Sequence, residues 1–205
     1  SGKPCLTVHP IGVPSLHASA ATLERGGGRA GTLPPPSRRL AALYRELYAM
    51  KKADALPTGF DVSLEATHHG PVVRTPACFL EIGSTEDEWE NRDAAAALAE
   101  ALCTEVRPHL QGGVEAQLEA EAEAEAEAEV WVVRGGGHYQ PKAGDLARKR
   151  GARLGHCLAS YAIGFAEDES GDPLRGLVDG GGAHAIKEAV RASQLAWGDG
   201  ATVRV

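Results

Sequence analysis

Two short segments concentrate the residue types that do chemistry near neutral pH. They are Thr67-His68-His69-Gly70-Pro71 and Gly135-Gly136-Gly137-His138-Tyr139, each standing where an apolar, strand-like run ends. Imidazole transfers protons and binds metals at that pH, and glycine lets a substrate approach the backbone, so together they point to a hydrolytic site. Gly83-Ser84-Thr85, just ahead of Glu86, Asp87 and Glu88, reads as a helix start whose amides and hydroxyls suit a phosphate, a carboxylate or an oxyanion; the plain alternative is a helix cap. His68, His69 and His138 with Glu81 or Glu65 make an acceptable nitrogen and oxygen set for zinc. Neighbours on an extended strand face opposite ways, so His68 and His69 serve one site only if the backbone turns, which Gly70-Pro71 allows. Otherwise one is catalytic and the other packs. The glycine triplet favours His138, although Gly26 to Gly28 and Gly180 to Gly182 repeat it; placement after Val130 to Val133 separates the cases. His17, His109 and His184 read as surface residues. The chain has no H-E-x-x-H or paired C-x-x-C zinc signature, no P-loop and no G-x-S-x-G elbow.

The elements that must position these residues follow from periodicity. Leu6 to Val13 reads as a buried strand with His9-Pro10 at its edge, followed by a Gly- and Pro-rich loop from Pro14 to Pro36. Ser37 is a candidate N-cap, and Leu40, Leu43, Tyr44, Leu47 and Tyr48 form the stripe of an amphipathic helix ending before Pro57. Phe60, Val62, Leu64 and Ala66 alternate with polar neighbours as in a half-buried strand, and Cys78 to Ile82 makes another. A helix is expected from the Ser84-Thr85 capping box to about Val106, then a strand over Val130 to Val133, a basic helix over Ala143 to Arg150 and a last helix over Ala183 to Trp197. Alternating strands and helices predict an α/β fold with a mixed, largely parallel sheet flanked by helices. Ligands in such sheets sit beyond the carboxyl ends of strands, so the His68-His69, Gly83 to Thr85 and Gly135 to Tyr139 elements are expected to share one cleft.

The chain of 205 residues is long enough for a single domain with a real core. Its formal charge of -7 comes from seven glutamates between positions 115 and 129, without which the remainder is neutral, so a basic face for a phosphate backbone is open. That Glu–Ala tract, Gln111 to Glu129, has no apolar face and reads as a solvated insertion. Cys5, Cys78, Cys103 and Cys157 read as core thiols of a reducing compartment. With no run of 18 apolar residues and no leader-like start, neither a membrane span nor a signal peptide is expected. The absence of an initial Met and the strand-like stop at Thr202 to Val205 make the chain read as a piece, incomplete at both ends.

Five blocks, in this order, resemble the archaeal and plant type of D-aminoacyl-tRNA deacylase. They are Leu6 to Gly12, Leu64 to Pro71, Phe79 to Glu86 with Trp89, Gly135 to Tyr139 with Pro141-Lys142, and Gly155-His156 with Tyr161. The resemblance covers nearly the whole chain except the Pro14 to Pro36 loop and the Glu–Ala tract, and that loop looks more like the plant and algal branch. It implies a fold akin to peptidyl-tRNA hydrolase and nucleoside phosphorylase, zinc as cofactor, and D-aminoacyl-tRNA as partner and substrate. The ester would be hydrolysed to free D-amino acid and tRNA, including aldehyde-modified forms. A monomer in the cytoplasm, with the nucleus as a second location, is expected. The catalytic set is then His68, His69, His138 and Glu81, with His68, His69 and His138 as metal ligands. The substrate-binding set is Thr67, Gly83, Ser84, Thr85, Gly135, Gly136, Gly137, Tyr139, Lys142 and His156. Arg134 departs from the small, apolar approach usual in the family, and with Lys142, Arg148, Lys149 and Arg150 it could meet tRNA phosphate. A metal-dependent small-molecule hydrolase and an inactive tRNA-binding paralogue are the alternative readings.

Overall fold

The computed structural model describes residues 3–83, 85–111, 129–150, 152–163, 181–198 and 200–205. The expected α/β architecture is present, with the strands divided between two three-stranded sheets. In the first, β1 (Cys5–Pro10) lies between β2 (Asp61–Leu64), which is parallel to it, and β3 (Cys78–Gly83), which is antiparallel. In the second, β4 (Glu129–Arg134) lies between β5 (Arg153–Leu158) and β6 (Thr202–Arg204), both parallel to it.

The six residues of β1 are all buried, as befits a central strand covered on both faces. Between β1 and β2 come α1 (Ala20–Gly26) and α2 (Leu40–Lys52). The α2 stripe of Leu40, Leu43, Tyr44 and Leu47 packs on Leu6, Val8, Val62 and Leu64. Ser37 does help start α2, its hydroxyl accepting from the Arg39 amide at 3.2 Å. The basic α5 (Pro141–Arg150) joins this core through Ala143 and Ala147. On the second sheet, α6 (Gly182–Trp197) presents Ala185, Ala189 and Ala192 to Val132 and Leu158; these small side chains let the helix lie close to the strands.

Four expectations are corrected. The Pro14 to Pro36 segment holds α1, because Ser19 accepts from the Thr22 amide at 3.2 Å and caps a run of good helix formers. The single helix from Ser84 is two: a short α3 (Glu86–Trp89) and α4 (Arg92–Gln111). Thr85 makes no side-chain cap, and Asn91 starts the longer helix instead, its Oδ1 accepting from the Ala94 amide at 2.9 Å. Cys103 is exposed on α4, although all four cysteines are free. Finally, Arg153 to Leu158, where no strand was expected, forms β5. Ser84 and residues 112–128 of the Glu–Ala tract fall outside the described residues, as do the surroundings of His109 and Arg150. No helix among the described residues is long and apolar enough to cross a membrane.

Leu47 has no exposed surface and sits between α2 and the β1–β2 face. Leu47→Ala should therefore lower unfolding stability by about 2–5 kcal/mol, measured by urea denaturation; a loss of a few tenths would mean that this core is not packed as described.

Candidate active site

The two sheets meet along a short backbone seam at the end of β2. The Ala66 amide donates to the His138 carbonyl at 2.7 Å, the Thr67 amide donates to the Cys157 carbonyl at 2.6 Å, and Glu65 pairs with Tyr139. The carboxyl ends of β1, β2 and β4 thereby converge, bringing His9, His68, His69 and His138 together. The His68 ring lies 4.0 Å from His9, 4.3 Å from His69 and 4.6 Å from His138, centroid to centroid. The chain turns at His69 itself, whose φ is 30°, and so both adjacent rings reach one site. Such left-handed backbone costs a non-glycine residue roughly 1–3 kcal/mol, and the neighbouring structure holds it there. The Gly12 amide donates to the His69 carbonyl at 2.7 Å and the Gly70 amide to the Gly26 carbonyl at 2.8 Å. A Cβ on Gly26 would come within 2.6 Å of the His69 Cβ, and one on Gly28 within 2.9 Å of the Gly70 carbonyl oxygen. The first glycine triplet, discounted as scatter, is what lets α1 press against the histidine turn.

Two carboxylates complete the cluster. Glu65 Oε2 lies 3.3 Å from His138 Nε2 and 3.6 Å from His68 Nε2, and Glu81 Oε1 lies 3.3 Å from His9 Nε2 and 3.4 Å from His69 Nε2. Hydrogen bonds fix which ring nitrogens carry protons. His9 Nδ1 donates to the Pro10 carbonyl at 3.0 Å and His68 Nδ1 to the Ala66 carbonyl at 2.8 Å, leaving both Nε2 lone pairs turned into the cluster. Carbonyl-braced imidazoles of this kind are typical metal ligands. His9 Nε2 is fully buried and, though near Glu81, is not aligned for a hydrogen bond, so a buried polar atom is left without a hydrogen-bond partner. His9, His68 and His69 form one group of donors close enough to share an ion, and Glu65, His68 and His138 form another. The donor set fits a metal ion.

Charge within the cluster is divided. Burial, then repulsion from His9 whenever that ring is protonated, pushes His68 down to about 4, and burial also lowers His69, so His68 and His69 stay neutral and able to donate lone pairs. The hydrogen bond to Glu65 raises His138 despite its partial burial. Burial pushes Glu65 up, but His138 and the other rings outweigh it and the carboxyl ends below its usual value. Glu81 is lowered chiefly by the His9 ring 3.3 Å away, an effect that operates when His9 Nε2 carries a proton.

The remaining expected site residues divide by strand direction. Because β3 runs antiparallel, Glu81 faces the rings but Gly83 pairs with Cys5 at the far end of β1, whereas His9 pairs with Phe79. At about 3.3 Å per residue this places Gly83 and Thr85 on the order of 15 Å from the histidines, so they do not share the cleft as expected. Gly135 and Gly136, with φ of 102° and 72°, turn the chain into His138, and Gln140 Nε2 braces them by donating to the Gly135 and Gly137 carbonyls at 3.1 and 2.7 Å. Tyr139 faces a separate groove with Tyr44, Tyr48 and Arg148, the last lying 4.0 Å over the Tyr48 ring. Lys142 lines another groove of about 470 Å³, with Trp131, Arg134 and Lys149. His156 is wholly buried: its Nε2 donates to the Pro34 carbonyl and its Nδ1 accepts from the Thr67 hydroxyl, both at 3.0 Å. The same hydroxyl accepts from the Cys157 amide at 3.0 Å. With no surface to offer a substrate, His156 braces the seam, a correction to its expected binding role. Reading by motif passed over His9; its signal was a pair of polar residues, Thr7 and His9, alternating with Leu6 and Val8 in a buried strand.

These features define an α/β protein built around a histidine and carboxylate centre able to hold a metal ion. The family model of D-aminoacyl-tRNA deacylase matches residues 1–196, and the chain belongs to that family. It is 35% identical over 202 residues to a D-aminoacyl-tRNA deacylase of Arabidopsis thaliana, covering 98% of this chain and 62% of the relative. To the D-aminoacyl-tRNA deacylase of Methanosphaerula palustris it is 34% identical over 163 residues, covering 78% of this chain and 31% of the relative. A crystal structure of a conserved protein of unknown function superposes with a TM-score of 0.60 at 25% identity, covering 98% of this chain and 66% of that one. The chain thus spans less than two thirds of the length of these relatives.

His156 has its pKa pushed down to about 4 by burial, against an ordinary 6.5. Between those values the unfolded chain binds more protons than the folded one, so stability is full above pH 6.5 and falls as the pH drops toward 4. The loss is at most about 3 kcal/mol. Urea midpoints measured across this range should fall less steeply for His156→Gln than for the parent; equal slopes would show that this imidazole is not held neutral by the fold.

Proposed function

We propose that this chain hydrolyses the ester joining a D-amino acid to the terminal ribose of tRNA, releasing the free amino acid and tRNA. The carrying observation is the Glu65–His138 pair set against braced His9 and His68 lone pairs in one cluster. Membership of the deacylase family and the names of the plant and archaeal relatives support the substrate. Residues 1–205 are taken as one deacylase domain, proposed to act as a monomer in the cytoplasm.

Of the three donor groups, which include His9 with Glu65 and Glu81, the set His9, His68 and His69 supplies the better zinc ligands, because two of the rings are oriented by backbone carbonyls and the nearby Glu81 carboxylate balances charge. Zinc held there would supply Lewis-acid polarisation of the ester and of water. That choice leaves His138 for proton transfer. Its Nε2–H points to the nearly buried Glu65, so Nδ1 is the basic nitrogen, in a ring whose side chain is 42% exposed. Water attacks the ester carbonyl carbon as His138 takes its proton, and Glu65 stabilises the imidazolium. The tetrahedral intermediate then breaks its bond to the ribose oxygen, which recovers that proton. Tyr161 Oη, 3.5 Å from His138 Nδ1, stands where it can orient the water or the leaving oxygen. Arg134, Lys142 and Lys149 are the cations proposed to contact tRNA phosphates.

His138→Ala should slow single-turnover deacylation of D-tyrosyl-tRNA by about 10²–10⁴-fold. A variant as fast as the parent would remove His138 as the base. Chelation should abolish turnover, zinc should restore it, and His9→Ala should reduce bound zinc as measured by elemental analysis. Full activity in metal-free protein would refute the metal assignment.

A further inference from the structure

Beside the histidine cluster lies a cavity of about 420 Å³ whose walls include Val13, Pro14, Ala18, His69, Tyr161 and Ala162. Its volume falls within the range of roughly 300–1,000 Å³ usual for small-molecule sites. Among the described residues the lining surface is mostly apolar and includes no lysine or arginine. One wall is the segment from Val13 to Gly27, which carries α1 and is fastened to the reaction centre by the Gly26 carbonyl bond to the Gly70 amide. Further lining comes from Tyr161 and Ala162 of the short helical turn after β5, Ser160–Ala162.

We infer that this cavity receives the side chain of the aminoacyl group being released, and that the Val13 to Gly27 segment sets which side chains are accepted. The assignment rests on the ester-hydrolysis reading and adds to it a location and a specificity determinant. Three observations support it. Of the two larger cavities, this one touches His68 and His69, whereas the groove of about 470 Å³ touches none of the clustered histidines. Its largely apolar wall surface suits an aromatic or aliphatic side chain, whose burial there is favourable. Among the described residues its walls offer no lysine or arginine to pair with phosphate, whereas Arg134, Lys142 and Lys149 line the other groove.

The test uses non-hydrolysable analogues, adenosine carrying a D-tyrosyl or a D-alanyl group through a 3′-amide, with binding measured by calorimetry on the full chain. Ala18→Trp fills the cavity from the α1 side and Ala162→Leu from the turn after β5, so failure of one variant to fold, judged by circular dichroism, leaves the second. Either substitution should weaken the D-tyrosyl analogue on the order of tenfold or more while changing the D-alanyl analogue less than about twofold. Equal weakening of both analogues would mean that the cavity holds the nucleoside, and no weakening would mean that it holds neither; each result overturns the assignment. Turnover of the corresponding esters is scored separately, so a chain that discriminates between the analogues but cleaves no ester refutes the catalytic reading and not the cavity.

Discussion

The seam between the sheets is the constraint on which the centre depends. Two backbone hydrogen bonds, from Ala66 to His138 and from Thr67 to Cys157, bring the end of β2 against the loop after β4 and the strand β5. Without them, the rings from β1 and β2 would belong to one half of the molecule and His138 to the other. The Thr67 hydroxyl reinforces the seam by accepting from one backbone amide while donating to His156, whose second nitrogen is tied to Pro34. Every hydrogen-bonding group of those two side chains is used, at the cost of burying a neutral imidazole. A partly satisfied network in the same place would be worse than an apolar one.

From this seam the chemistry separates into two halves that share His68. On one side, His9 and His69 meet Glu81; on the other, His138 and Glu65 reinforce each other's charges. Opposite shifts in neighbouring imidazoles are the pattern that assigns different jobs to like residues. The difference arises from surroundings: His68 has a backbone carbonyl on one nitrogen and cationic competition from its neighbours, whereas His138 has a carboxylate that is itself almost out of water.

Much of this arrangement was legible in the residues. The helix stripe of Leu40 to Leu47 and the alternation from Phe60 to Ala66 locate α2 and β2, and histidines at the ends of apolar runs locate the rings. What local pattern does not carry is direction. Cys78 to Gly83 reads the same whether parallel or antiparallel, and its antiparallel pairing brings Glu81 to the rings while sending Gly83 and Thr85 to the opposite end. Neither does composition show whether a buried polar residue faces a ligand or a structural partner, which is why His156 and His9 were easily given each other's weight. The segment after Val13 was obscured by its many Gly and Pro residues, although Ser19 and the seven residues after it carry an ordinary capped helix.

The three glycines at the end of α1 separate two kinds of requirement. Gly26 and Gly28 are confined by their closeness to His69, Val13 and Gly70, while no residue of α1 itself is buried. The attachment point is therefore strict and the stretch leading to it permissive. A lineage could lengthen, shorten or rewrite that stretch as an exchangeable cassette, diversifying what the protein admits while inheriting its chemistry intact.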